Sequence, residues 1–376
     1  MGQIETFRPE PAVDHMPIQA VDHVELWVGN AKQAAYFYER SMGFVPIAYS
    51  GLETGNRNSV AYALAQGKVR LLIQGGLGPD SPISRFCEAH GDGVHQIVLE
   101  VPDAAAAFQE AVKRGAKAAL DPTRIEDSRG HAGVSAIRLY GEVNLGFVDR
   151  GSYGGAFLPG YAPIDHGQGG SPRGVGIAAI DHIVGNVELG QMNTWVDWFK
   201  SVLGFEQLQH FTDEAISTEY SALMSKVMQD GSGKVKFPIN EPAPGKRKSQ
   251  IDEYLEYNVG PGVQHLALIT GDVCATVEAL KQRGLEFLTV PRTYYDDLWK
   301  RVGPIREDVK EIERLNIMVD RDDEGYLLQI FTQPVQDRPT LFLEIIQRRG
   351  SRGFGEGNFK ALFEAIEREQ DRRGNL

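Results

Sequence analysis

Apolar and polar positions change period along this chain, and the changes come twice. Residues 18–48, IQAVDHVELWVGNAKQAAYFYERSMGFVPIA, predict a short strand around Asp22-His23, then an amphipathic helix rich in aromatics, then Gly43-Phe44 and another strand. Residues 177–211, IAAIDHIVGNVELGQMNTWVDWFKSVLGFEQLQHF, predict the same succession around Asp181-His182 and Gly204-Phe205. A second pair follows. Residues 91–117, GDGVHQIVLEVPDAAAAFQEAVKRGAK, match 260–286, GPGVQHLALITGDVCATVEALKQRGLE, as turn, apolar strand, helix and Arg-Gly. A weaker third pair ends at Arg150-Gly151 and Arg349-Gly350.

Self-similarity at this spacing predicts a duplicated architecture. The unit is a strand and a helix followed by further strands, used twice per half. Such units bury both faces only by pairing into curved sheets. The expected fold is α+β: two domains, each a pair of β-α-β-β-β modules forming a curved, open-barrel sheet with helices outside, plus a C-terminal helix. Residues 151–176 are dense in Gly and Pro and read as a connection. The boundaries expected are an N-terminal domain over 1–160, a linker over 161–174 and a C-terminal domain over 175–376. The C-terminal half carries an insertion near 291–322, with a helical stretch REDVKEIERL.

Three strands of the C-terminal half hold residues at odds with their surroundings. His182 lies in IDHIVGNV, His265 in VQHLALI and Glu344 in LFLEIIQ, all apolar on both faces. A lone histidine there is as readily a hydrogen-bonded core residue as a ligand. A buried carboxylate costs several kcal/mol unless a cation or a dense hydrogen-bond set compensates it. Arg348 and Arg349 follow closely, so a structural ion pair is the competing account. Aligning the copies sets His23 against His182, Gln96 against His265 and Leu145 against Glu344, so only the C-terminal half has a complete set. That points to one catalytic domain and one degenerate, non-catalytic domain. Two histidines and one carboxylate form a facial triad suited to Fe(II), leaving positions for substrate and dioxygen. Catalytic zinc uses the same ligand types, whereas structural zinc usually takes four, often with cysteine.

Composition narrows the partners. A net charge of −12 argues against a nucleic-acid or anionic-lipid surface. No run of about 18 apolar residues exists, so no membrane span is expected. MGQIETFRPEP lacks a signal-peptide pattern. Gly2 and Thr6 fit a loose myristoylation pattern with no second anchoring signal. A cytoplasmic protein is expected. Cys87 and Cys274 lack metal-type spacing, sit where helices are expected to start, and read as packing residues.

The two-repeat pattern resembles the vicinal-oxygen-chelate superfamily, and the C-terminal half resembles the 4-hydroxyphenylpyruvate dioxygenase family within it. The match is carried by SALMSKVM (221–228), FPINEPA (237–243), residues 250–264, GYLLQIFT (325–332) and FLEIIQRRGSRGFGEGNFKALFEAIEREQDRRG (342–374). The resemblance is long and specific there and looser in the N-terminal half. It implies Fe(II) on His182, His265 and Glu344, chelated by the 2-oxo acid group of an aromatic substrate. Oxidative decarboxylation, ring hydroxylation and side-chain migration would then convert 4-hydroxyphenylpyruvate and O2 to homogentisate and CO2, a step of tyrosine and phenylalanine catabolism.

The same resemblance implies a substrate pocket of Ser225, Asn240, Gln250, Gln264, Gln329, Phe331, Phe342, Asn358 and Phe359, with catalytic parts for Gln264, Gln329 and Phe359. Phe331 and Phe359 would flank the ring; Ser225, Asn240 and Gln250 would face the phenol end. A regular strand would point Gln264 away from His265, so either the pleat is irregular or Gln264 acts behind the ligand. Phe359, Leu362, Phe363 and Ile366 recur at helical spacing. With the glycines of residues 350–358 as a hinge, this predicts a lid helix, an ordinary packed terminal helix being the alternative. A homodimer or homotetramer is expected. The competing functions are a 4-hydroxymandelate synthase acting on the same substrate, a non-catalytic binding protein of the same fold, and an extradiol ring-cleaving enzyme.

Overall fold

The computed structural model describes residues 15–166, 174–211, 222–243 and 248–374. Gly2, Thr6, residues 167–173 of the expected linker, Ser221 and the Phe363 side chain lie outside these.

The first module is β1 (Ala20–Trp27), α1 (Ala31–Arg40), β2 (Val45–Ser50), β3 (Ser59–Gln66) and β4 (Val69–Gly76). After α2 (Pro82–His90) comes the second: β5 (Gly93–Glu100), α3 (Ala104–Lys113), β6 (Ala118–Asp127), β7 (Gly130–Arg138) and β8 (Asn144–Asp149). With β9 (Ala162–Pro163) they form one sheet in the order β6-β7-β8-β5-β1-β4-β3-β2-β9.

The C-terminal half repeats the plan. It runs β10 (Ile177–Asn186), α4 (Met192–Leu203), β11 (Glu206–Phe211), β12 (Ala222–Gln229), β13 (Lys236–Ala243) and α5 (Gln250–Tyr257). Then follow β14 (Gly262–Thr270), α6 (Val273–Gln282), α7 (Tyr294–Val302), α8 (Val309–Leu315), β15 (Met318–Arg321), β16 (Tyr326–Phe331), β17 (Phe342–Arg349) and α9 (Phe359–Arg372). The sheet order is β11-β12-β13-β10-β14-β17-β16-β15. In both halves the first strands of the two modules meet antiparallel at the centre, β1 with β5 and β10 with β14. Each also pairs in parallel with the last strand of its own module.

Local chemistry explains the matching boundaries. Asp103 and Asp272 hold equivalent places and cap α3 and α6, each accepting from the backbone N–H three residues on. Gly43 and Gly204 leave the helices with φ of 75° and 70°, a conformation that glycine adopts without a steric penalty. Phe44 and Phe205 then turn into the core. Phe199 of α4 packs against Phe237 of β13 at 5.3 Å between ring centroids. Burying one such ring contributes about 2–3 kcal/mol.

The register corrects one pairing read from the sequence. Across the C-terminal sheet His182 faces Ala267, which pairs with Glu344. In the N-terminal sheet His23 faces Val98, which pairs with Gly146. Gly146, not Leu145, therefore stands where Glu344 does. A slip of one residue moves a side chain to the opposite face. Leu145 belongs to the fully buried core on the other side of the sheet. A Cβ at Gly146 would come within 2.6 Å of the Gln96 amide nitrogen.

The connection also differs from expectation. Phe157 is 1% exposed and Leu158 is buried, so the chain after β8 folds back as a plug on the N-terminal sheet. Ala162 and Pro163 then pair with β2. Glycine allows the tight path, and the two apolar side chains hold it down. In the insertion, the helical part of REDVKEIERL starts only at Val309, capped by Asp308. Cys87 lies in the last turn of α2, not at its start, and burial raises its thiol pKa to about 12. No helix among the described residues is long and apolar enough to cross a membrane.

Candidate metal centre and its cavity

The three residues that the sequence singles out converge. His182 on β10, His265 on β14 and Glu344 on β17 come from three adjacent strands at the centre of the sheet. Their ligand atoms lie within 4.8 Å of one another, and all three residues are buried. Glu344 Oε2 is 3.1 Å from His182 Nε2 and 3.4 Å from His265 Nε2. No such grouping of three other His, Cys, Asp or Glu residues occurs among the described residues.

The outer nitrogen of each imidazole is engaged. His182 Nδ1 lies 2.8 Å from Asp181 Oδ1, and His265 Nδ1 lies 3.0 Å from Gln264 Oε1. Both acceptors favour a proton on Nδ1, which leaves the Nε2 lone pairs aimed at the carboxylate, the disposition of metal-binding histidines. Burial pushes the Glu344 pKa up, but the two imidazoles outweigh it and hold it at about 2. Burial favours the neutral form of His265 and lowers its pKa. For His182 burial acts the same way, and the carboxylates of Glu344 and Asp181 outweigh it and raise the pKa. Neither nearby arginine serves Glu344 as its ion pair. Arg348 grips both oxygens of Asp181 at 2.7 Å, and Arg349 bonds Glu307. A buried carboxylate between two neutral-capable imidazoles, with no cation of its own, fits a divalent metal.

A β-bulge resolves the direction of Gln264. The pairing of β10 with β14 skips one residue, matching Val184 to His265 and Gly185 to Val263. Gln264 sits in that bulge, so it and His265 both line the cavity. Asp181 occupies a second bulge on β10, between Ile180 and His182.

Around the triad is a cavity walled mostly by apolar and aromatic side chains. Alternating residues of the strands form its floor: Val184, Ser225 and Val227, Pro238 and Asn240, Phe331, and Phe342. Ser225 and Asn240 are direct partners on β12 and β13. Gln250, the first residue of α5, closes one side. Phe342 stacks on His265 at 4.8 Å. Phe354, Phe359 and Leu362 form the roof, so α9 lies across the opening.

Two expected pocket residues are not in the lining. Asn358 is fully buried beneath the start of α9, where its Oδ1 accepts from the Tyr294 hydroxyl at 2.6 Å. It anchors the roof instead of facing the cavity. Gln329 shares a strand with Phe331, but its buried amide lies under Gly355, where a Cβ would meet it at 2.4 Å. Sequence reasoning missed Val184, Val227, Pro238 and Phe354 as lining residues. Phe354 had a readable signal, as an aromatic held between glycines just before the helix. Asp181 had another: the Asp-His dipeptide appears in both halves.

Two family models match the chain. Residues 14–158 match the N-terminal domain of hydroxyphenylpyruvate dioxygenase, and residues 179–330 match the glyoxalase, bleomycin resistance protein and dioxygenase superfamily. A 4-hydroxyphenylpyruvate dioxygenase of Dictyostelium discoideum is 46% identical over 96% of this chain and 100% of its own. One of Yarrowia lipolytica is 44% identical over 94% and 93%. A solved structure of a triply substituted 4-hydroxymandelate synthase from Streptomyces coelicolor superposes with a TM-score of 0.84. Its identity is 32%, covering 94% of this chain and all of that one.

Proposed function

The chain belongs to the 4-hydroxyphenylpyruvate dioxygenase family, and on that premise we propose that it converts 4-hydroxyphenylpyruvate and O2 to homogentisate and CO2 at a ferrous ion held by His182, His265 and Glu344. The observation that carries the assignment is the buried triad, open on one side to a cavity lined by Phe331, Phe342, Phe354 and Phe359. Fe(II) there would supply the redox chemistry and the open positions through which a 2-oxo acid and dioxygen react.

The protein's own residues do the rest. Asp181 and Gln264 hold the Nδ1 protons of His182 and His265 and so fix which nitrogen faces the ion. Phe331 and Phe359, from opposite sides of the cavity, take the substrate ring; such packing contributes about 1 kcal/mol beyond burial. Ser225, Asn240 and Gln250 offer polar groups on the flank of β12 and β13, away from Phe331 on β16, and suit the phenol hydroxyl. Phe354, Phe359 and Leu362 exclude water from the reacting centre. Gln329, next to Phe331 on the same strand face, acts on the substrate only if the segment around Gly355 moves.

The solved 4-hydroxymandelate synthase variant raises the sister reaction, but at 32% identity it is more distant than the dioxygenases at 44–46%. The test is reconstitution with ferrous iron and ascorbate, followed by product identification from 4-hydroxyphenylpyruvate. Homogentisate with one CO2 per O2 supports the assignment, and hydroxymandelate overturns it. The division near residues 161–174, a cytoplasmic setting and assembly through the N-terminal half into a dimer or tetramer complete the proposal. Light scattering of the purified chain tests the assembly.

A further inference from the structure

The two halves share more than strands. In the C-terminal half Arg348 donates from Nε and Nη2 to both Asp181 oxygens at 2.7 Å, and from Nη1 to the Gly353 carbonyl at 2.6 Å. Its guanidinium lies 5.4 Å from the Phe354 ring centroid, and that ring meets His182 edge-on at 5.0 Å. In the N-terminal half Arg150 donates to both Asp22 oxygens at 2.6 Å and to the Phe157 carbonyl. It lies 5.4 Å from the Phe157 ring, which meets His23 edge-on at 5.0 Å. His23 Nδ1 in turn lies 2.6 Å from Asp22.

What differs is what each copy is joined to. Around His23 the other two ligand positions are Gln96 and Gly146, and the segment after Arg150 ends as a fixed plug. Around His182 they are His265 and Glu344, and the segment after Arg348 becomes the cavity roof and α9.

We infer that Arg348 is a positioning residue that couples the metal ligand to the lid. One guanidinium fixes the carboxylate that orients His182 and, through Gly353 and Phe354, the hinge from which α9 covers the cavity. This rests on the proposed metal site. Any shift of the hinge is felt at Asp181, because the planar fork cannot keep three acceptors if one of them moves. The N-terminal copy, with the same bonds and no metal set, is the built-in control for a purely architectural role.

The test compares Arg348→Met with Arg150→Met in the full chain, using Co(II) as a spectroscopic probe of the site and amide exchange over residues 353–365 of the metal-free protein. Arg348→Met should weaken Co(II) binding roughly 10–100-fold, alter the visible spectrum of the bound ion and speed exchange in the lid. Arg150→Met should leave both readouts within about twofold of the unaltered chain, though both variants lose thermal stability by similar amounts. Equal Co(II) binding and exchange in Arg348→Met and the unaltered chain would overturn the inference, as would the same changes in Arg150→Met. If the methionine variants do not fold, Arg348→Lys against Arg150→Lys makes the same comparison, since lysine keeps the charge but not the fork. An unaltered chain that binds no Co(II) defeats the metal-site reading instead, and lid exchange in the metal-free protein still decides the coupling to the hinge.

Discussion

Gln264 places its amide oxygen 3.0 Å from Nδ1 of its own neighbour, His265. Adjacent residues of a regular strand point to opposite faces, so this contact exists only because the strand bulges there. Gln264→Ala should therefore do more than remove a cavity wall. It should release the imidazole to the other tautomer and lower iron affinity by roughly tenfold, with kcat falling alongside. Titration with ferrous iron under argon checks the first, steady-state oxygen uptake the second. Unchanged iron binding would mean that the bulge serves only the substrate.

Glu344 is the part of the site with the least tolerance. Its carboxylate is 2% exposed and has two imidazoles for partners. Glu344→Gln keeps the volume but gives up the charge that the metal needs. We expect no bound iron after gel filtration and no oxygen uptake. For the unaltered chain, adding iron should raise the Tm, because a ligand that binds only the folded state stabilises it. Glu344→Gln should show no such rise. Differential scanning calorimetry with and without Fe(II) separates the two.

Much of this was open to reading in the sequence, and the failures have physical causes. The triad was visible because charged or polar residues in doubly apolar strands are costly and the repeat showed which half keeps them. Leu145 was matched to Glu344 because one residue of register leaves both segments equally apolar; only the pairing of Val98 with Gly146 decides it. The plug formed by Phe157 was hidden by its glycine-rich surroundings, which resemble a linker until the two apolar side chains find a surface. For Asn358 the sequence leaves two directions open, since a residue at the start of a roof helix can face down into the cavity or back into the scaffold. In this structure its side chain meets Tyr294, from an insertion with no counterpart in the repeat.

Phe354 belongs to the roof and also touches His182 at 5.0 Å. Phe354→Ala would open the cavity beside His182 while leaving Phe331 and Phe359, proposed to flank the substrate ring, in place. Substrate binding should weaken only about threefold to tenfold, as expected for one lost aromatic contact. The larger effect should be on coupling, because water gains access to the centre. Oxygen consumed should then exceed homogentisate formed, measured in the same reaction. A one-to-one ratio in this variant would show that the remaining roof is sufficient.

The N-terminal half gives the clearest pH prediction. Asp22 has a fully buried side chain that accepts from His23 and Arg150. Burial alone would raise its pKa; those partners overcome it and hold the carboxyl well below its ordinary 3.8. A carboxyl depressed in the folded state adds stability that is fully present above its unfolded pKa and is lost as pH falls through the folded one. Asp22→Asn removes that contribution and deprives the half-buried Arg150 of its carboxylate partner, so the variant should be less stable near neutral pH. The gap in stability between the two chains should narrow as the medium is taken from about pH 5 to below pH 4. Urea unfolding at a series of pH values measures it. A gap that stays constant down to pH 3 would show that the carboxyl keeps its ordinary pKa in the folded chain, and that Arg150 and His23 do not hold it ionised.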